Sequence, residues 1–297
     1  MKNEHKYNFA VLGGDRRQAV IAVELAKRGY KVTCFALGEN TFALSGCDMR
    51  ASLDKAMEGA DFVILPLPVS RDNIHLNAVI QNVELGEISK LAAKNNAILL
   101  GGSVPSEFTR ICSEMGVTII DYYKVESLQT KNATPSAEGA LMIAMEHTDI
   151  TVQGMNALIT GYGRIGKILA SILRRLGAKV TVAARRDETL CEISMSGYNA
   201  IRTKDIELAN AASESDVIFN TIPNMIFNEK VVNRTKNNPL YIEIASSPGG
   251  IDAKAAREQG FKIIYAPSLP GKYSPVTAGL YVFETIAEIL NDRRIEI

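Results

Sequence analysis

The chain lacks net charge: 33 basic and 33 acidic side chains balance across 297 residues. A balance this even argues against a nucleic-acid binder that relies on a broad basic face, and against a polybasic membrane anchor. It also lacks long apolar runs. The strongest, Phe62–Leu65 and Ala97–Leu100, are strand-length and are broken by Pro or Gly, so no span of about 20 apolar residues is present to cross a bilayer. The opening MKNEHKYNFAVLGG runs from charge straight into a strand and a Gly turn, without the apolar core of a signal peptide. The four cysteines, Cys34, Cys47, Cys112 and Cys191, include no CxxC pair and lie near no histidine cluster. That distribution points to reduced thiols rather than a zinc site or a disulfide framework. These absences together lead us to expect a cytoplasmic protein with no metal.

What is present is an alternation of short Val/Ile/Leu runs with amphipathic segments, the pattern of a parallel sheet with crossover helices. At about 100–200 residues per domain, the length implies two domains. The clearest unit runs from a strand at Ala157–Thr160 through a turn at Gly161–Gly166 to a helix at Lys167–Leu176 and a strand at Lys179–Ala183. Ile165, Ile168, Leu169, Ile172, Leu173 and Leu176 fall on one helix face. The segment from Phe9, FAVLGGDRRQAVIAVELAKRGYKVTCFA, lies over NALITGYGRIGKILASILRRLGAKVTVAA from Asn156, and the order returns in ADFVILPLP against SDVIFNTIP and in AILLGGS against YIEIASS. One supersecondary unit used twice is the economical reading.

Thr134-Pro135 and Ser274-Pro275 each read as an N-cap followed by Pro at the first helical position, and each has Gly five residues after the cap, Gly139 and Gly279. The expected architecture is therefore α/β: two doubly wound, Rossmann-like parallel-sheet domains with a cleft between them. We expect residues 1–133 to form an N-terminal substrate or partner domain, residues 134–273 a nucleotide-binding domain, and residues 274–297 a C-terminal helix returning to the first domain. The competing expectation is that this last helix caps its own domain.

Gly161-Tyr162-Gly163-Arg164-Ile165-Gly166 is GxGxxG in the right context, after a strand and opening a helix. The first Gly permits the turn, the second lets a pyrophosphate approach, the third lets helix and strand pack, and the helix N-terminus offers free N–H groups. About 20 residues on, where an NAD site places an acid for the ribose, the chain reads Val182-Ala183-Ala184-Arg185-Arg186-Asp187. Small residues leave room for a 2′-phosphate, and Arg185 and Arg186 can bind it, so NADP is the expected cofactor. Against this, the two arginines could be solvated charges, and Asp187 could serve the ribose in a shifted register. Thr221-Ile222-Pro223 and Ala245-Ser246 end the fourth and fifth strands of this domain and should flank the nicotinamide.

In the first domain the corresponding turn is Gly13-Gly14-Asp15-Arg16-Arg17-Gln18, with one of the three glycines kept. A second dinucleotide is not expected there. Cations at a helix start are disfavoured by roughly 0.3–1 kcal/mol each when exposed, so Arg16 and Arg17 read as holders of a dicarboxylate substrate, assisted by Arg71 and Ser103, or else as ordinary solvated charges. Histidine is scarce: His5, His75 and His147 are the three, and none follows residue 147. The loop before the last helix therefore lacks the acid/base histidine that two-domain 2-hydroxyacid dehydrogenases carry there. Lys124 and His75 are the expected proton carriers.

The runs VLGGDRRQ, NATPSAEGALMIAME, SSPGGID and APSLPGKYSPVTAGLY, taken in order with the nucleotide motif, resemble the A-subunit family of dipicolinate synthase, found in spore-forming bacteria. The resemblance implies an NADP-binding subunit that acts with a flavoprotein-like B subunit to convert dihydrodipicolinate, drawn from the lysine pathway, to dipicolinate in the mother cell during sporulation. No nucleic acid or membrane is expected as a partner, and self-association is expected. Two other classes remain open: an NADP-sensing subunit with catalysis in the partner, and another two-domain dehydrogenase of an amino or imino acid.

Overall fold

The computed structural model describes residues 7–37, 44–79 and 82–295. The chain divides into two compact units, one of residues 1–132 with 274–297 and the other of residues 133–273. In the first unit, strands β1 (Asn8–Leu12), β2 (Lys31–Phe35), β3 (Cys47–Met49), β4 (Phe62–Ile64), β5 (Ile98–Gly101) and β6 (Ile119–Asp121) form a parallel sheet in the order β3-β2-β1-β4-β5-β6. In the second, β7 (Asn156–Thr160), β8 (Lys179–Ala184), β9 (Asn199–Arg202), β10 (Val217–Asn220), β11 (Leu240–Glu243) and β12 (Ile263–Tyr265) repeat that topology as β12-β11-β10-β7-β8-β9. Both are doubly wound Rossmann-like sheets. In each, the strand order reverses beside the unit's first strand, which opens a crevice at the carboxyl ends where ligands bind.

The strands are apolar on both faces because helices cover both. In the second unit, Ala157, Ile159, Val180 and Val182 pack under Leu169 and Leu173 of the helix Arg164–Arg175, while Leu158, Ala183 and Ile218 face the opposite layer. Leu176, expected on the buried face, ends the helix and is exposed. Among the described residues no helix is long and apolar enough to cross a membrane.

The last helix, Pro275–Asp292, starts with Pro at its first turn after Ser274, as its sequence signals, and packs Val282, Phe283, Ile286 and Leu290 into the first unit's core. The same signal at Thr134-Pro135 misleads: Pro135 lies inside one continuous helix, Glu126–His147. Pro there removes one N–H and crowds the carbonyl four residues earlier, yet the helix-compatible run Glu126–Ala133 carries the helix through. The matched glycines also serve separate contacts. A Cβ on Gly139 would meet Leu269 and Tyr273, whereas one on Gly279 would lie 2.8 Å from Val20 Cβ and 3.0 Å from the Arg17 carbonyl. Gly279→Ala is therefore expected to force the last helix off the helix Arg16–Lys27, lowering stability by about 1–3 kcal/mol in urea unfolding.

Candidate functional site

The turn after β7 assigns each glycine a distinct task. Gly161 has φ +95° and donates its N–H to the Ala183 carbonyl at 2.9 Å; a Cβ there would lie 2.4 Å from Thr221 Oγ1. Gly166 sits where a Cβ would be 2.2 Å from the Gly161 carbonyl oxygen, so helix and turn touch. Gly163 differs. A Cβ on it would meet nothing within 4 Å, and it caps the helix Arg164–Arg175 without a side-chain hydrogen bond. An uncapped helix start beneath an open glycine leaves N–H groups and a positive dipole end facing the space a pyrophosphate needs. Tyr162 packs edge-on to Tyr198, while Arg164 and Ile165 begin the helix with no acid in its first turn. The residues fit a dinucleotide.

At the neighbouring strand, β8 ends in buried Ala183 and Ala184, followed by exposed Arg185 and Arg186. Asp187, the acid that a shifted register would put on the ribose, is ion-paired with Arg202 of β9.

The ends of β10 and β11 hold a buried polar network that the strand patterns alone did not reveal. Glu243, 3% exposed, accepts from Asn220 Nδ2 at 2.7 Å, Gly250 N at 2.8 Å, Ala245 N at 3.1 Å and Tyr241 Oη at 3.2 Å. Asn220 Oδ1 in turn accepts from Thr160 Oγ1 at 2.6 Å and Ile222 N at 3.1 Å. Burial, with the Glu243 charge and hydrogen bond adding to it, raises the Tyr241 phenol well above its ordinary value, so it stays a donor. The network ties half-buried Thr221 and Ile222 to half-buried Ala245 and, beyond it, exposed Ser246, leaving Pro223 exposed at the tip. The available signal was one acid in the apolar run Tyr-Ile-Glu-Ile, since an acid on a strand covered on both faces must be paired.

In the first unit the positions matching Gly163 and Gly166 carry Asp15 and Gln18. The Gln18 side chain donates to the Leu12 and Ile64 carbonyls, both at 3.2 Å, and so bridges β1 and β4. The expected electrostatic cost of Arg17 is corrected here. Asp15 caps the helix by accepting from Arg17 N, and its two oxygens take Arg17 Nε at 2.9 Å and Nη2 at 2.8 Å, while Nη2 also reaches the Leu67 carbonyl at 2.5 Å. Arg17 is buried and committed to the turn, whereas Arg16 is exposed.

Burial would raise the Asp15 carboxyl, but the Arg17 hydrogen bonds and charge outweigh it and hold the pKa below its ordinary value. A depressed folded value adds stability that is present above the unfolded carboxyl pKa of about 4 and is lost as pH falls through the folded value. Asp15→Asn keeps the cap but not the charge. It is expected to cost about 1 kcal/mol at neutral pH in this part-exposed pair, with the gap to wild type closing below about pH 4 in acid unfolding curves.

Other first-unit candidates fall at the carboxyl end of the sheet. Exposed Arg71 donates Nε to Asn77 Oδ1 at 3.1 Å. His75 lies in the loop after β4 rather than on a helix, its Nδ1 2.7 Å from Asp72 Oδ2. Exposed Ser103 follows β5, with Asp121 accepting from its N–H at 3.0 Å, and exposed Lys124 ends the short turn Tyr122–Lys124.

Comparison with known proteins matches each unit separately. Residues 8–123 match the family described as the N-terminal domain of the dipicolinate synthase A-subunit, and residues 137–267 match the S-adenosyl-L-homocysteine hydrolase NAD binding domain. The dipicolinate synthase A-subunit of Bacillus subtilis (strain 168) is 28% identical over 293 residues, covering 97% of each chain. The chain resembles that protein throughout. Crystal structures of two such dipicolinate synthase chains concur. The one from Bacillus subtilis has a TM-score of 0.83 at 27% identity, covering 98% of this chain and 97% of its own, and the one from Bacillus halodurans 0.82 at 25%, covering 96% and 97%. The open glycine cradle thus lies within a match to an NAD-binding domain, the type that takes a nicotinamide dinucleotide, in a dehydrogenase-like chain.

Proposed function

We propose that this chain is the NADP-dependent subunit of a dipicolinate synthase, oxidising dihydrodipicolinate to dipicolinate together with a flavoprotein-like B subunit during sporulation, in the mother-cell cytoplasm. The observation that carries the cofactor choice is the end of β8. Its small residues open onto exposed Arg185 and Arg186, and the nearby Asp187 is neutralised by Arg202. Guanidinium groups bind a 2′-phosphate dianion with charge-assisted bonds.

The reaction removes a hydride and a proton from a dihydropyridine ring and leaves an aromatic one, so the driving force lies in the substrate. When bound, NADP+ supplies the hydride acceptor. The chain's residues have a smaller task. Arg185 and Arg186 bind the 2′-phosphate, the turn Gly161–Gly166 takes the pyrophosphate, and the segments Thr221–Pro223 and Ala245–Ser246 lie beside the nicotinamide. Arg17 is committed to Asp15, which narrows the carboxylate-holding role to Arg16 and Arg71 assisted by Ser103. Lys124, or His75 with its Asp72 partner, receives the proton. Residues 1–133 would serve as the substrate and partner domain, and the chain would also self-associate.

The test supplies dihydrodipicolinate with NADP+ or NAD+ to the chain, with and without the B subunit, following reduced cofactor and dipicolinate together. The expected result is parallel growth of both products with NADP+. Dipicolinate formed without cofactor reduction would place the oxidation in the partner and leave this chain as an NADP sensor.

A further inference from the structure

We infer that Arg202 is a specificity-determining residue for the dinucleotide, supplying a third guanidinium to the 2′-phosphate and holding Asp187 away from the ribose hydroxyls. This rests on the reading of the second unit as an NADP site. Arg202 ends β9, paired in register with Ala184, the last residue of β8, and the next N–H, that of Thr203, donates to the Ala184 carbonyl at 3.2 Å. The Arg202 side chain therefore leaves the sheet level with Arg185 and Arg186, one strand over. Its backbone position is fixed as well, because Arg202 N donates to Glu207 Oε2 at 2.9 Å.

The pairing has two consequences for the ligand. A carboxylate whose charge is paired with a guanidinium is a weaker acceptor for ribose hydroxyls, and Asp187, the acid that could favour NAD in a shifted register, has its Oδ1 on Arg202. A guanidinium carries five N–H donors, and the ion pair to Asp187 engages one of its terminal nitrogens. Other donors remain for a phosphate, whose larger charge competes well against a carboxylate that is itself three-quarters exposed (74%).

The test measures the affinity of NADP+ and NAD+ for the full-length chain by isothermal titration, wild type against Arg202→Ala, with thermal melts confirming the fold. Arg202→Ala is expected to weaken NADP+ by about tenfold or more while leaving NAD+ unchanged or tighter. A wild type that prefers NADP+ and an Arg202→Ala variant that keeps the same preference would overturn this assignment alone. A wild type that does not prefer NADP+ overturns the NADP reading and this assignment with it. Should Arg202→Ala melt below the titration temperature, Asp187→Asn tests the same claim: freeing Arg202 raises NADP+ affinity severalfold, and no change overturns the assignment.

Discussion

Gly163→Val should abolish dinucleotide binding, by a factor of about a hundred or more, while leaving the melting temperature within a few degrees of wild type. The two halves of that result have separate causes. Gly163 has φ −87° and ψ −162°, a backbone conformation any L residue adopts, and a Cβ there meets nothing in the chain. The fold therefore tolerates the valine. The ligand does not, because the added methyls fill the space where a pyrophosphate would approach the uncapped helix start. Two or three lost phosphate hydrogen bonds at about 1.5–3 kcal/mol each account for the factor. Gly166→Val makes the opposite control. Its Cβ would collide with the Gly161 carbonyl at 2.2 Å, so the loss should appear first in stability, with a melting transition lowered or absent. Titration of NADP+ alongside thermal melts of both variants separates a ligand cradle from a packing contact.

Glu243→Ala should be among the most damaging substitutions in the second unit. It leaves the Ala245 and Gly250 amides, Asn220 Nδ2 and the Tyr241 hydroxyl without their common acceptor, a side chain that is itself buried. Stranding buried donors costs about 1–3 kcal/mol for each strongly affected group, and here several lose their acceptor at once. We expect a loss of about 3–5 kcal/mol in urea unfolding. Glu243→Gln keeps one acceptor oxygen and should recover part of the stability, yet it cannot receive all four donors. In that variant the segment from Ala245 to Gly250 loosens, and the KM for the dinucleotide rises several-fold more than kcat falls. Unchanged stability in Glu243→Ala would mean the network is not formed.

The features legible in the sequence are those whose cause is local. The glycine turn, the Lys179–Ala184 strand with its acid-free end, the doubled strand-helix order and the Pro275 helix start all act within a few residues of their own signal. The features that were not legible depend on partners brought together by the fold. Pro135 carries the same local signature as Pro275, but the preceding turns continue into it as helix. Arg17 is ion-paired locally, by Asp15, but its further acceptor, the Leu67 carbonyl, comes from 50 residues away. Asp187, offered to the ribose only as the alternative to the arginines, meets Arg202 from 15 positions away on β9, and Glu243 finds Asn220 across adjacent strands 23 positions apart. The glycine turn and the acid-free strand end on which the nucleotide reading rests were thus legible from their own residues. The surroundings of Arg17, Arg71, His75 and Ser103 in the first unit were not, because they are set by contacts rather than by spacing.

The central claim, that NADP bound by this chain is the oxidant of the reaction, is tested most directly under single-turnover conditions. The chain and a dipicolinate synthase B subunit are held in molar excess over NADP+, dihydrodipicolinate is added, and dipicolinate and NADPH are quantified in the same sample. The expected result is one dipicolinate for each NADP+ supplied, with the reaction stopping when the cofactor is consumed. Dipicolinate accumulating beyond the NADP+ present, or forming with none, would contradict it.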